Sequence, residues 1–148
     1  MAAGIRINLV IPSEVRLVDV AHSASEKMAE LAGFDADEAL NLGLAVREAV
    51  INAMLHGNQQ DPDLNVDLTL AVIQDGLEAT VRDHGAGFDP DGTPDPTKGN
   101  NILRTSGRGL LLIRAFVDQV EFEEPTDGGT LIKMTKRLPP AGATDDDS

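Results

Sequence analysis

The sequence predicts an α+β domain in which an antiparallel or mixed sheet carries helices on one face. Strand-like runs follow one another directly or through hairpin turns. Helical runs cluster early in the chain and again after a Gly/Pro-rich stretch. The 148 residues, 41% of them hydrophobic, suit one domain with a single core.

The elements follow in order. Residues 5–11, I-R-I-N-L-V-I, alternate and then turn apolar, which reads as a strand stopped by Pro12. Ser13 is a candidate cap for a helix that runs to about Ala32 and ends at Gly33. Asp35 or Asp37 opens a second helix, which ends near His56-Gly57-Asn58. Residues 64–73, L-N-V-D-L-T-L-A-V-I, begin with the strict alternation of a half-buried strand. Asp75-Gly76 signals a hairpin, and residues 77–82 supply its returning strand. Residues 85–107 are rich in Gly, Pro, Asp, Asn and Thr, and a connection of that length within a compact domain reads as a functional lid. Helical periodicity returns at residues 109–117. Residues 120–123 and 130–138 form a closing hairpin around Asp127-Gly128-Gly129. The single domain is thus expected over residues 1–138, with residues 139–148 as a disordered acidic tail.

Composition narrows the function. A formal net charge of −13 repels phosphate backbones, so direct nucleic-acid binding is not expected, and a basic protein partner is favoured. Aromatic residues make up 3%, too few for base-stacking platforms. The absence of cysteine excludes a disulfide framework, a thiolate metal site and a Cys nucleophile. No apolar run approaches the ~20 residues of a membrane span, and no signal peptide is visible, so a cytoplasmic protein is expected.

Three stretches can carry chemistry. In R-E-A-V-I-N-A-M-L-H-G-N, residues 47–58, an apolar helix is interrupted by Glu48, Asn52 and His56 at i, i+4, i+8, so all three share a face. Taken alone, Glu48 and Asn52 read as a polar network inside the protein, or as a general base beside a hard-oxygen ligand for Mg²⁺. In V-R-D-H-G-A-G-F-D-P, residues 81–90, Asp83 ends a strand before Gly85 and Gly87. This is either a strand leaving into a turn or a ligand loop whose carboxylate accepts from a donor such as an exocyclic amine. In T-S-G-R-G-L-L-L-I, residues 105–113, Gly107 and Gly109 open an apolar helix whose first backbone N–H groups suit phosphate. There is no P-loop and no complete dinucleotide fingerprint. The histidines lack the neighbouring ligands of a zinc site.

Taken together and in this order, the stretches resemble the N box and the two glycine boxes of the GHKL ATPase superfamily. The terminal G-G-T-L-I-K-M is similar to that superfamily's closing strand. The resemblance runs from Glu48 to Met134 and implies a Bergerat-type two-layer α/β sandwich, with a mixed sheet, helices on one face and a long ATP lid. Within the superfamily the chain most resembles the small anti-sigma factor serine/threonine-protein kinases of bacteria. It is a lone domain, its N box begins with Glu and ends His-Gly-Asn, and G-R-G-L-L-L-I-R-A-F-V-D-Q-V-E-F is close to that group's form.

That resemblance implies ATP and Mg²⁺ as cofactors. It implies sequestration of a sigma factor, phosphorylation of a serine on an anti-anti-sigma partner of the STAS type, and a homodimer. The roles it implies are a general base at Glu48 and an Mg²⁺ ligand at Asn52. Asp83 would accept from the adenine amine, in a pocket shaped by Gly85 and Gly87. Gly107, Arg108, Gly109 and Leu110 would offer donors to the phosphates, and Thr130 a contact to adenine. Three other readings stand beside this one: an ATP-gated binding module without phosphotransfer, a simple ATP hydrolase, and an acidic α+β domain with no nucleotide.

Overall fold

The computed structural model describes residues 3–85 and 107–139, with the backbone alone at Gly107 and Arg108. The expected lid and tail, Gly87 included, lie outside the described residues. The chain forms β1 (Arg6–Pro12), a short 3₁₀ turn (Val15–Leu17), α1 (Val18–Ala32), α2 (Ala36–Asn52) and a π-turn (Ala53–Gly57). β2 (Asn65–Ile73), β3 (Gly76–Arg82), α3 (Gly107–Phe116), β4 (Gln119–Glu123) and β5 (Leu131–Arg137) follow.

The five strands lie in the order β1-β2-β3-β5-β4. Every neighbouring pair is antiparallel, so the mixed sheet expected from the resemblance is corrected to an antiparallel one among the described strands. The reason is topological. β3 and β4 run the same way and are joined through α3, as in a crossover that would pair parallel strands. The β4–β5 hairpin turns back into the gap between them, so β5 separates the two.

β2 shows how the sequence pattern becomes a core. Val66, Leu68, Leu70 and Val72 are buried, and the intervening residues face the open side of the sheet. α1 and α2 pack on each other and cover β2 and β3, and α2 also packs on α3. Leu42, Val46, Val50 and Met54 present one apolar stripe of α2 and its π-turn to that core.

Local signals behave differently along the chain. Asp35 caps α2, its carboxylate accepting from the Glu38 N–H at 2.8 Å. Gly33 ends α1 with φ of 111°, the left-handed conformation that a Cβ would strain. Ser13 is not a helix cap: its hydroxyl donates to the Leu64 carbonyl at 2.7 Å. The β2–β3 hairpin forms, but its two turn residues are Gln74 and Asp75, because Ile73 pairs with Gly76. Gly76 is required for a different reason: a Cβ there would run into the Lys136 carbonyl of β5.

Candidate functional site

β3 leads directly to Asp83, which is 3% exposed. A buried carboxylate needs donors, and here they are backbone groups. Asp83 Oδ1 accepts from the N–H of Gly85 and of Thr130, each at 3.2 Å. The Asp83 N–H in turn donates to the Thr130 carbonyl at 3.0 Å. The turn before Thr130 makes this approach possible, with Gly128 and Gly129 at φ of 103° and 82°.

Glycines pack this corner closely. A Cβ at Gly57 would overlap the Asp83 carboxylate, one at Gly129 the Asp83 carbonyl, and one at Gly85 the Gly57 carbonyl. The end of the π-turn, the exit of β3 and the β4–β5 hairpin therefore meet at one carboxylate. The π-turn matters because its wider winding departs from α register immediately after Asn52, a distortion common near functional sites. It is followed by Gln59 and Gln60, both left-handed at φ of 53° and 60°, a conformation uncommon without glycine.

Asp83 lines a cleft between α2, α3 and the sheet. Ala49 and Ala53 of the α2 side, Val81 of β3, Ile113 of α3 and Ile132 of β5 make its walls apolar, and Asn52 and Thr130 join Asp83 as polar groups. A mostly apolar cleft with a few convergent polar groups is the usual form of a small-molecule site. Asn52 is 5% exposed, and its Oδ1 has no hydrogen-bond partner among the described residues. A buried amide oxygen without a donor suits a hard cation such as Mg²⁺. Among the described residues no group of three or more His, Asp or Glu could hold a metal.

Glu48 lies one turn before Asn52 and is half-buried. It abuts the start of α3: a Cβ on Gly109 would lie 2.6 Å from Glu48 Oε2 and 2.9 Å from its Cγ. The first backbone N–H groups of α3, from Gly107 through Leu110, have no partner within the helix by its geometry, and they begin beside this carboxylate. His56 is half-buried in the π-turn. His84 pairs with Asp67, Nε2 to Oδ2 at 2.7 Å.

Of the candidate residues, Asn52, Asp83 and Thr130 share the cavity, Gly85 closes the Asp83 corner, and Glu48 and Gly109 meet where α2 packs on α3. Sequence reasoning missed Asn58 as an organiser. Its side chain donates to Ser13 Oγ at 2.9 Å and to the Asn65 carbonyl at 3.0 Å, and accepts from the His84 N–H at 2.8 Å. The one available signal was an Asn directly after Gly57 at the end of an apolar helix. Arg82 hydrogen-bonds Asp127 at 2.6 Å, tying β3 to the glycine turn, and its guanidinium holds the Asp127 carboxyl below the usual carboxylate range.

Comparison with known proteins finds similarity to histidine kinase-like ATPase domains. A family model described as a histidine kinase-like ATPase domain matches residues 11–136. The chain is 34% identical to an anti-sigma F factor of Heyndrickxia coagulans over 110 residues, 69% of this chain and 71% of that protein. It is 30% identical to the serine-protein kinase RsbW of Bacillus subtilis (strain 168) over 138 residues, 89% of this chain and 85% of that protein. An anti-sigma F factor of Oceanobacillus iheyensis is 35% identical over 104 residues, 69% of this chain and 71% of its own length.

Proposed function

The chain belongs to the histidine kinase-like ATPase domain family, whose name implies use of ATP. From that premise we propose that it is an anti-sigma factor with protein serine kinase activity. It sequesters a sigma factor and phosphorylates a serine of an anti-anti-sigma partner of the STAS type. One observation carries the reading: the buried Asp83 carboxylate and the Asn52 amide converge on one apolar cavity in a chain 28–35% identical to proteins named anti-sigma F factor and serine-protein kinase.

The residues divide the work as follows. Asp83 accepts from the exocyclic amine of adenine, and its two backbone donors hold it oriented. As the resemblance implies, Gly85 and Gly87 shape the adenine pocket, and Thr130 borders it. Backbone N–H groups of Gly107, Arg108, Gly109 and Leu110 receive the phosphates at the start of α3. Asn52 would hold Mg²⁺, which supplies charge neutralisation across the phosphate oxygens. Glu48 is the general base. It takes the proton of the attacking serine hydroxyl as the Oγ–P bond forms and the bond from γ-phosphorus to the ADP oxygen breaks. Holding the two oxygens in line is the chain's main contribution to the rate.

The protein is read as a cytoplasmic homodimer; no helix among the described residues is long and apolar enough to cross a membrane. The test is incubation with γ-labelled ATP, Mg²⁺ and a STAS-type partner. Phosphoserine on the partner is expected. Free phosphate alone would make the protein a hydrolase, and nucleotide binding without turnover would make it a gated binding module. Failure to bind ATP would overturn the reading entirely.

A further inference from the structure

Asn58 is 1% exposed, and its amide is engaged on both sides. Both hydrogens of Nδ2 are used, one on Ser13 Oγ at the end of β1 and one on the Asn65 carbonyl at the start of β2. Oδ1 accepts from the His84 N–H at 2.8 Å. The orientation of this amide follows from its partners. The Asn65 carbonyl can only accept, and the His84 N–H can only donate. Ser13 spends its own hydrogen on Leu64, so it too is an acceptor towards Asn58. No other side chain supplies two donors and one acceptor in that volume.

The place where Oδ1 attaches gives the network its meaning. His84 is the middle residue of a turn closed by the Gly85 N–H on Asp83 Oδ1. Asn58 therefore holds the turn that carries the cavity's carboxylate. Its own N–H closes the π-turn on the Ala53 carbonyl at 2.8 Å, so the amide couples the end of the Asn52 helix to the Asp83 corner. We infer that Asn58 is a positioning residue for purine recognition: it orients Asp83 through the His84 backbone and so sets nucleotide affinity and the preference for a 6-amino purine. This inference rests on the ATP reading above.

The experiment measures Kd for Mg-ATP and Mg-ITP, which carries a 6-oxo group, together with the melting temperature of the nucleotide-free protein. Asn58→Ala is expected to weaken ATP binding about tenfold and to narrow the ATP-over-ITP preference. His84→Pro removes the backbone donor of this bond along with the imidazole and should match it, whereas His84→Ala drops the imidazole but keeps the N–H and should stay within about twofold of wild type, so the difference between the two reads the N–H. Because both act through one bond, the Asn58→Ala/His84→Pro double variant should be no weaker than either single one. Ser13→Ala lowers the melting temperature but leaves ATP affinity within about twofold.

Wild-type affinity and purine preference in Asn58→Ala would overturn the inference. So would additive losses in the double variant, or an equal loss in Ser13→Ala. If Asn58→Ala does not fold, His84→Pro against His84→Ala carries the same decision: a loss confined to the proline variant supports the inference, and equal affinities overturn it. A wild-type protein that binds no ATP is a distinct result, and it ends the ATP reading together with this one.

Discussion

The Asp83 corner and the Glu48 side of the candidate site are built on opposite plans. In the corner the Asp83 carboxylate is almost fully buried, pinned by two backbone N–H groups and packed against glycines from two other segments. On the α2 side Glu48 is only half-buried and abuts the first turn of α3. The first resists displacement because any motion breaks backbone hydrogen bonds. The second is a more exposed side chain on a helix face. A recognition group gains from the first arrangement and a proton acceptor from the second, since a base must follow its substrate through the reaction.

The strongest way to break this division is Glu48→Gln. Serine phosphorylation should fall by about 100-fold or more while ATP still binds, as judged by labelled phosphoserine and by calorimetry. Unchanged transfer would remove Glu48 from the reaction. Asp83→Ala tests the corner: ATP affinity should drop by roughly 30-fold with the circular-dichroism spectrum retained. Normal affinity there would leave the buried carboxylate without the role given to it.

A matched pair of glycine substitutions sharpens the contrast. Gly57→Ala drives a methyl into the held Asp83 carboxylate, so stability should fall by about 1–3 kcal/mol in urea titration, with ATP affinity reduced as well. Gly109→Ala drives a methyl against the Glu48 side chain from Cγ to Oε2, and no backbone atom is among these contacts. Its melting temperature should change less than that of Gly57→Ala, and its phosphotransfer rate should fall more than its ATP affinity. If both variants lose stability equally, the two sides are equally rigid and the comparison fails.

The smallest expected effect lies outside the cavity. The Arg82 hydrogen bond lowers the Asp127 pKa in the folded state, so this pair stabilises the fold above the unfolded carboxylate pKa of about 4. The contribution disappears as pH falls through the lower folded value. Asp127→Asn should therefore lower the melting temperature slightly at pH 7, with the gap to wild type closing below about pH 4. Asp127 is exposed, so solvent keeps the effect small.

Much of the fold was legible because its signals are local. The alternation of residues 64–73 becomes β2 almost unchanged, Asp35 caps α2, and Gly33 ends α1. Where two local readings competed, tertiary contacts chose. Ser13 had the chemistry of a cap, yet its hydroxyl serves Leu64 and Asn58. Asp75-Gly76 had the composition of a turn centre, yet Gly76 is needed where β5 presses on β3. The candidate site was legible as residue types in order, and Asn52, Asp83 and Thr130 do share one cavity.

By itself the sequence determined the succession of strands and helices, the aliphatic core and the polar stripe on α2. These follow from side-chain periodicity and from interactions within a few residues. Only the tertiary structure decided the antiparallel insertion of β5, the glycine packing around Asp83 and the central place of Asn58. The Asn58–Ser13, His84–Asn58 and Thr130–Asp83 hydrogen bonds, for instance, join residues 26 to 47 positions apart. Such partners become neighbours only after the core has assembled, and nothing in their local sequence encodes the distance between them.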